Sequence, residues 1–417
     1  MSKLGWIDFS SDERRKVKLV LAALSEKGVL DELGIGQIRD AFANRLFPGV
    51  STIQTRAKYF ITIARLLRDI QNGNAKKAKT PLQWLVQQEH LLAETLVKVH
   101  GKSEDGIIGA ESINKGGVSR RPSSIYWNGL KTFGIVRSPL SLREFCSQLD
   151  ENHHVAHTAN LNHQEGSDDD DVMPAQRLVD LPDRISSWQV EDRLSIHLSL
   201  SEAEFLRDKL STTPGVEHSV PAQILRNGGI AKLLSATGDE SAELLVLNFD
   251  ALTKLLLSCA GVSETCKKQV EQAQSFSLAM EGPHIRFNFL LAKANRFGRE
   301  AAELGVAFEK WQASVQRQDI FHPECVNDWF DVIHGSRVKP KSRSFVERWC
   351  QLMHQNAHVS QLDTLVRNRA KGNKKSRSRL NKKLSEFEWI GIKRLDFRWG
   401  TARKLLADIE GGLNASH

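Results

Sequence analysis

Paired cysteines and long apolar runs are both missing from this sequence. Its five cysteines lie far apart with no C-x-x-C pair, which is typical of reduced thiols. No segment stays apolar over the roughly 20 residues that a membrane span needs, and no apolar run of signal-peptide length follows Met1. We therefore expect a soluble, cytoplasmic protein that does not enter a membrane.

Catalytic and cofactor motifs are missing as well. Gly116 and Gly117 lie between basic residues, but no strand precedes them and no Lys-Ser/Thr pair follows, so they do not form a nucleotide-type phosphate loop. Residues 151–174 combine four histidines with an aspartate run, yet no periodic scaffold surrounds these metal-ligand types. We expect no cofactor and no metal site, and the sequence favours a role other than catalysis.

Helical patterning is what the sequence contains most of. Apolar residues recur at helical spacing after a capping pair of Ser10 and Glu13, from Ile35 to Leu46, after a cap at Ser51 or Thr52, after Pro81, and after Pro122. The same spacing predicts helices over 262–280, 285–308, 345–369 and 399–409, the last closed by Gly411 and Gly412. Only 194–200 alternates as a short strand does, and Ser201 with Glu204 has the spacing of a capping box that starts the next helix. The fold class predicted is mostly α and multi-helical, with minor β and with winged-helix or helix-turn-helix elements as one interpretation of the short basic helices.

Composition shifts divide the chain into four predicted segments. They are an N-terminal helical domain over 1–150, a His/Asp-rich polar linker over 151–180, a central helical domain over 181–335 and a basic C-terminal helical region over 336–417. A chain of 417 residues with 40% apolar residues is long enough for two or three domains. The region from His334 to Lys404 holds 19 Lys and Arg against 5 Asp and Glu, so the positive charge is concentrated near the C-terminus.

A basic strip within that region is the strongest functional signal. Its cations are Arg367, Arg369, Lys371, Lys374, Lys375, Arg377, Arg379, Lys382 and Lys383. Cations at this density repel one another unless an anion such as phosphate is near, which indicates nucleic-acid binding. Phe387, Trp389, Phe397 and Trp399 follow closely, and we expect Trp389 and Trp399 either to stack on bases or, preferably, to anchor the strip to the core. The alternative for the strip is a solvated, partly mobile connector between helices.

A second set of cations lies on the third predicted helix. Arg56, Lys58, Arg65 and Arg68 occupy the face opposite its apolar stripe. They could bind phosphates, but an amphipathic helix usually has a charged face because water lies on that side. We therefore interpret this face as solvated.

Several blocks of the sequence resemble an uncharacterised bacterial family of about this length. They are Gly5–Ser10, Asp31–Gly36 with Ile38–Asp40, Ser51–Phe60, Pro122–Trp127 and Leu395–Trp399. The resemblance covers most of the chain and implies a setting in phage-defence gene neighbourhoods, beside helicases and phospholipase-D-like nucleases. It implies no catalytic residues.

Three functional hypotheses follow. The first is a non-catalytic subunit of an anti-phage complex that binds DNA through the strip without sequence preference, helped by the N-terminal helices, with protein partners such as a helicase or nuclease. The second is an adaptor whose strip meets an acidic protein. The third is a metal-dependent nuclease that uses Asp319, Glu324, Asp328 and Asp331 near His322 and His334.

Overall fold

The computed structural model describes residues 31–73, 75, 80–113, 120–149, 178–182, 194–230, 232–233, 248–316, 319–391 and 394–415. These residues are mostly helical, which confirms the predicted fold class. Strand structure within these ranges is limited to one isolated bridge between Val136 and Val179, so they contain no β-wing. The helix predicted after Ser10 and most of the 151–180 linker lie outside the described residues.

Thirteen α-helices can be numbered along the described ranges. In chain order they are α1 (Gly36–Leu46), α2 (Lys58–Gln71), α3 (Pro81–His100), α4 (Pro122–Thr132), α5 (Leu200–Thr212), α6 (Val220–Arg226), α7 (Phe249–Ser258), α8 (Glu264–Ala294), α9 (Gly298–Gln316), α10 (Pro323–Val332), α11 (Pro340–His354), α12 (Val359–Lys374) and α13 (Trp399–Asn414). Short 3-10 turns form at Ala110–Ser112, Lys375–Arg377 and Arg379–Asn381, and residues 142–149 are also helical.

The chain forms two compact units, each built from two segments. The first unit comprises Met1–Arg45 and Lys268–Phe397, and the second comprises Leu46–Lys267 and Arg398–His417. The four segments predicted from composition divide the chain by charge and linker content, whereas these units are defined by contacts. The four segments therefore stay a prediction.

Aromatic side chains fill the core of the first unit. Phe42 on α1 packs against Phe276 on α8 with ring centroids 5.1 Å apart, and Phe276 meets Trp329 on α10 edge-on at 5.5 Å. Trp311 on α9 lies 6.2 Å from Trp349 on α11. These rings join α1, α8, α9, α10 and α11 into one core, since aromatic pairs at this spacing add to the free energy of burial.

Tyr126 organises the core of the second unit. Its ring on α4 packs edge-on against Phe60 on α2 at 4.9 Å. Its hydroxyl accepts the backbone N–H groups of Thr55 and Arg56 and donates to the Arg56 carbonyl, so the segment before α2 is fixed by one side chain. This contact joins Ser51–Phe60 with Pro122–Trp127, two of the blocks that carry the family resemblance.

Two predicted helix boundaries are wrong in the middle of the chain. Pro283 does not end a helix, because α8 continues through it for 31 residues. Packing of this part of α8 in the core of the first unit outweighs the cost of the proline, of about 3 kcal/mol: residues 282–288 are buried, and the ring of His284 donates to the Met280 carbonyl at 2.7 Å. Gly282 leaves room for the indole of Trp311, which a side chain there would overlap.

Further differences concern breaks that contain neither Gly nor Pro. The helix predicted over 285–308 is interrupted at 295–297, and that over 345–369 at 355–358. The predicted strand over 194–200 is irregular, and Ser199 with Glu202 forms the capping box that we expected at Ser201 and Glu204. The helix predicted after Ser51 starts seven residues later, at Lys58.

The last helix also extends further than predicted. Gly411 and Gly412 lie inside α13, which runs to Asn414. A Cβ on Gly412 would lie 2.7 Å from that of Ala203 and 2.9 Å from that of Leu198. The glycine therefore permits α13 to approach α5 closely and does not end the helix.

None of the helices in the described part of the chain combines the length and hydropathy that a membrane-spanning segment requires.

Candidate nucleic-acid interface

The basic strip lies in the first unit, along the end of α12 and the two 3-10 turns after it. α12 buries Leu362, Val366 and Ala370, which recur every four residues, so its opposite side is open to solvent. Six cations of the strip are exposed, namely Arg367, Lys371, Lys375, Arg377, Lys382 and Lys383. Lys374, Arg369 and Arg379 are half-buried.

The exposed cations of the strip have no carboxylate partner among the described residues. The single acid on each of α12 and α11 is used elsewhere: Asp363 forms a bidentate pair with Arg286 at 2.7 Å, and Glu347 pairs with Arg343 at 2.7 Å. The six positive charges are therefore not neutralised by these carboxylates.

The Asp31–Gly36 segment holds the strip in place. The Arg369 guanidinium donates to the carbonyls of Leu33 and Gly34, at 2.6 and 3.1 Å. The Asn373 side chain donates to the carbonyls of Asp31 and Glu32, at 2.9 and 3.1 Å. The strip is thus attached to the first unit, and this distinguishes it from a loose connector.

Glu32 provides the attachment beyond α12. Its carboxylate accepts from the hydroxyl of the fully buried Ser378, at 3.1 Å, and from the backbone N–H of Arg379, at 3.3 Å. Burial raises the pKa of Glu32, although both hydrogen bonds and the cations Lys374 and Arg379 act to lower it. The two hydrogen bonds to Glu32 therefore fix the segment with the 3-10 turns, on which Lys375, Arg377, Lys382 and Lys383 are exposed.

Lys375 has an unusual backbone conformation. It terminates α12 with φ 51° and ψ −128°, a region in which side chains other than glycine are strained. Such residues cost about 1–3 kcal/mol and persist when the surroundings over-determine them. The strip therefore carries a lysine at a position where glycine would fit the backbone better.

A groove next to the strip adds cations that sequence reasoning missed. It has a volume of about 640 Å³ and lies between the first half of α11 and the last half of α12. Its lining includes Lys339, Lys341, Arg348 and Arg369, together with the amides of Asn368 and Asn373. The sequence contained a sign of these cations, because Lys341 and Arg348 are seven residues apart and therefore lie on one face of a helix.

The helix dipole stabilises only some of the strip cations. A helix C-terminus carries about half a negative charge, which favours Lys371 and Lys374 in the last turn of α12. The effect falls off within that turn, so it does not explain Lys375, Arg377, Lys382 and Lys383. Arg367 and Lys371, four residues apart, repel each other by about 0.2–0.5 kcal/mol. The arrangement is therefore most favourable with an anion bound.

The aromatic residues that follow the strip are distributed over the two units. Trp399 is 2% exposed and packs on Phe47 in the second unit, so its ring anchors the chain. Phe397 is also 2% exposed and packs on Phe42 in the first unit. Trp389 is half-buried and donates its ring N–H to the Gly391 carbonyl at 3.0 Å. Only Phe387 and Trp389 retain partial exposure, and Phe387 lies edge-on to Phe297.

The carboxylates considered for a nuclease do not gather into a metal site. Over the described ranges, no three His, Cys, Asp or Glu side chains come together as metal ligands would. Asp328 instead pairs with Lys268 at 3.2 Å, and His322 accepts the Glu324 backbone N–H. The histidines and aspartates of 151–174 lie outside the described residues.

Three cysteines are buried and unsuited to nucleophilic chemistry. Burial raises the pKa of Cys146 and of Cys266 to about 12, and it raises the pKa of Cys350 further. The thiolate, which is the reactive form, is therefore disfavoured at these positions.

The charged face predicted on the third helix is not solvated. Lys58 is 6% exposed and its ammonium lies 2.6 Å from the carboxylate of Glu202 on α5. Arg56, just before α2, pairs with Asp408 on α13 and with Glu104. The interpretation as a water-facing surface was wrong, because other helices of the second unit cover this side. These cations are already neutralised and cannot supplement the strip.

Arg65 and Arg68 also have partners within the second unit. Arg65 pairs with Asp69 one turn later at 3.3 Å, and Arg68 donates to the Val179 carbonyl. The help that we expected from the N-terminal helices in binding phosphate is therefore not available from this face of α2.

Comparison with known proteins identifies the family of the chain. The model of a family described as "Family of unknown function (DUF6361)" matches residues 1–229, more than half of the chain. The chain belongs to DUF6361. The matched residues include Asp31–Gly36, which holds the strip, whereas the strip of this DUF6361 member lies beyond the match. No curated protein and no solved structure matched the chain in these comparisons.

Proposed function

We propose that the protein is a non-catalytic DNA-binding subunit that holds the phosphate backbone along the basic strip and the adjoining groove. The observation that carries the proposal is the set of six exposed strip cations without a carboxylate partner in the described chain. The four cations that line the groove enlarge the same basic region, since Arg369 belongs to both.

Phosphate is the anion that suits this geometry best. A polyanion with regularly spaced charges can neutralise several strip cations at once and releases its own counterions on binding, which supplies most of the affinity. The attachments to Glu32, Leu33 and Gly34 fix the strip before DNA binds, so little conformational entropy is lost.

The expected binding is salt-sensitive and weakly specific. Lys and Arg contacts to phosphate position a protein on DNA without reading its bases. We place this subunit in a bacterial anti-phage complex with protein partners such as a helicase or nuclease, which is the setting implied by the sequence resemblance.

The test is replacement of Lys374, Lys375, Arg377 and Arg379 by Ala. Loss of up to four phosphate contacts should reduce the slope of log K against log salt by about 3 to 4 on duplex DNA. Binding constants measured between 50 and 200 mM salt, on the order of the range used for such slopes, give the result directly.

A control variant removes the same charge from exposed positions outside the strip. It replaces four cations, two from each unit, with Ala: Arg207, Lys254, Arg299 and Lys310. This control should keep the wild-type slope. Equal slopes for the wild type and the strip variant would contradict the proposal, as would equal losses for strip and control variants.

Copurification tests whether the strip binds DNA or an acidic protein. A protein that remains bound after nuclease digestion, and that the strip variant loses, would assign the strip to protein recognition and overturn the proposal.

A further inference from the structure

A second cavity lies in the first unit where α8 ends and α9 begins. It has a volume of about 430 Å³, within the range of small-ligand sites and too small for a duplex. Phe289 and Phe297 form its apolar part together with Ala301, and the exposed Lys293 and Arg296 supply two positive charges. The cavity therefore combines aromatic surface with cations, which suits a planar ring attached to phosphate.

Both aromatic rings are in contact with neighbouring side chains that hold them in place. The Arg286 guanidinium lies 4.0 Å from the centroid of the Phe289 ring, and Arg286 is itself fixed by two hydrogen bonds to Asp363. Phe297 has its support from Phe387, edge-on at 6.2 Å. Phe297 remains partly exposed and offers preorganised surface on which another ring can stack. The Lys293 ammonium lies 5.0 Å from the centroid of the Phe289 ring, so Lys293 leaves that ring when it binds a phosphate and a base stacks there.

Arg296 occupies a strained position beside this surface. The chain turns out of α8 with Arg296 at φ 62°, the Phe297 N–H bonded to the Ala292 carbonyl and the Arg296 N–H bonded to that of Lys293. A helix that ends with a residue of positive φ favours Gly or Asn at that residue. The chain does use Gly228 and Asn356 at two equivalent endings, so arginine is the exception here. The presence of arginine at this strained position is explained if its guanidinium is needed next to the cavity.

The end of the basic strip lies next to this cavity. The Leu384 N–H, directly after Lys382 and Lys383, donates to the side chain of Asn295 at 2.8 Å. Asn295 immediately precedes Arg296, and the Phe387–Phe297 contact follows three residues after Leu384. A polynucleotide strand that follows the strip to Lys383 therefore arrives beside the cavity.

We propose that this cavity holds an unpaired base of single-stranded DNA, stacked on Phe289 and Phe297, while Lys293 and Arg296 bind the adjacent phosphates. The inference rests on the proposed DNA-binding function and adds to it a preference for single-stranded over duplex DNA. In a duplex the bases remain stacked on one another and cannot enter, whereas an unpaired base presents a face to any aromatic ring.

Phe297→Leu is the primary test, because leucine keeps the apolar volume and removes the aromatic face. The dissociation constants are measured with oligothymidine and with a duplex of the same length at one salt concentration. We expect about tenfold weaker binding of oligothymidine, as for loss of one base–aromatic stack, and unchanged binding of the duplex. Phe205→Leu is the matched control, since Phe205 is half-buried with Lys209 near its ring but belongs to the second unit.

A second variant keeps the test valid if Phe297→Leu does not fold. Arg296→Gly relieves the backbone strain, so we expect a protein at least as stable that binds oligothymidine several-fold more weakly. In the wild type, photocrosslinking of oligonucleotides that contain 5-iodouracil should give adducts in the peptide with Phe297. Adducts confined to other peptides would overturn the inference.

The outcomes distinguish this inference from the proposed function. If the strip variant loses binding of both DNA forms and the Phe297 variant loses neither, the cavity inference is wrong and the proposed function stands. If the strip variant keeps both, the proposed function is wrong and the inference falls with it. Selective loss of oligothymidine binding in the Phe297 and Arg296 variants, with the Phe205 variant unchanged, supports the inference.

Discussion

At the scale of single residues, the clearest conflict between stability and charge lies at Lys375. Its positive φ costs free energy that glycine would not, and its ammonium is exposed in the middle of the strip. Strained residues cluster at functional sites because surrounding contacts hold them there. Lys375 therefore allows stability and binding to be separated with one substitution.

We expect Lys375→Gly to stabilise the protein and weaken DNA binding. Relief of about 1–3 kcal/mol of strain exceeds the entropy of about 0.5–1 kcal/mol that glycine loses on folding, so unfolding free energy should rise by about 1 kcal/mol. Urea denaturation and a salt titration of binding measure the two effects. Lys382→Gly is the matched control, because Lys382 has φ −108° and ψ 140°. It should lose similar affinity and be destabilised, and a Lys375→Gly variant less stable than the wild type would refute the strain argument.

Glu89 is the residue with the clearest predicted pH dependence. It lies on α3, 4% exposed; one carboxylate oxygen accepts the Ser123 N–H at 2.5 Å and the other has no hydrogen-bond partner. Burial raises the pKa of Glu89 from 4.5 to about 7. Because the folded state binds this proton more tightly, the stabilisation is complete below pH 4.5 and is lost as the pH rises through about 7.

Replacement of Glu89 by Gln should remove this dependence. The amide remains neutral, so Glu89→Gln should gain stability relative to the wild type between pH 5 and pH 8, by roughly 3 kcal/mol. Urea unfolding at the two pH values measures the difference. The exposed Glu204 on α5 serves as control, and Glu204→Gln should follow the wild type at both pH values. A stability difference for Glu89→Gln that does not change with pH would contradict the assignment.

At the scale of elements, the joint between α12 and the Asp31–Gly36 segment determines how the strip is displayed. Arg369 acts here as a structural residue as well as a cation, since its guanidinium bonds two backbone carbonyls and the Ser342 hydroxyl. A lysine cannot reproduce this planar fork. Substitution by lysine therefore tests the joint while leaving the net charge unchanged.

Arg369→Lys should lower the free energy of unfolding by about 2 kcal/mol, the size expected for hydrogen bonds to a charged group. Arg367 provides the control on the same helix, because it is exposed, and Arg367→Lys should stay within about 0.5 kcal/mol of the wild type. Chemical denaturation of the two variants gives the comparison, and equal stabilities would show that the joint does not depend on the fork.

Sequence patterns predicted which elements exist better than where they end. Prolines at the first helical turn marked α3 and α4 correctly, because Pro81 and Pro122 act locally. The passage of α8 through Pro283 depends on packing around it, and the turn after α8 has arginine, not glycine, at the residue with positive φ, Arg296. Charge density identified the strip, but the groove requires α11 and α12 to be side by side, which no local pattern specifies.

At the scale of the whole molecule, positive charge is concentrated while the total is modest. The net charge is +8, whereas His334 to Lys404 alone carries 19 Lys and Arg against 5 Asp and Glu. The remainder of the chain is therefore acidic on balance, and an approaching polyanion is repelled there and attracted to the basic region. DNA should consequently protect a small set of lysines and leave others as reactive as before.

Lysine acetylation with and without DNA tests this distribution. We expect several-fold protection of Lys371, Lys375, Lys382 and Lys383, because a bound phosphate backbone covers their ammonium groups. Lys310 on α9 and Lys254 on α7 are exposed references outside the strip and should react equally in both conditions. Mass spectrometry of the acetylated peptides gives the protection at each site. Protection spread evenly over strip and reference lysines would mean that DNA is held by total charge alone, and the strip would then have no special part in binding.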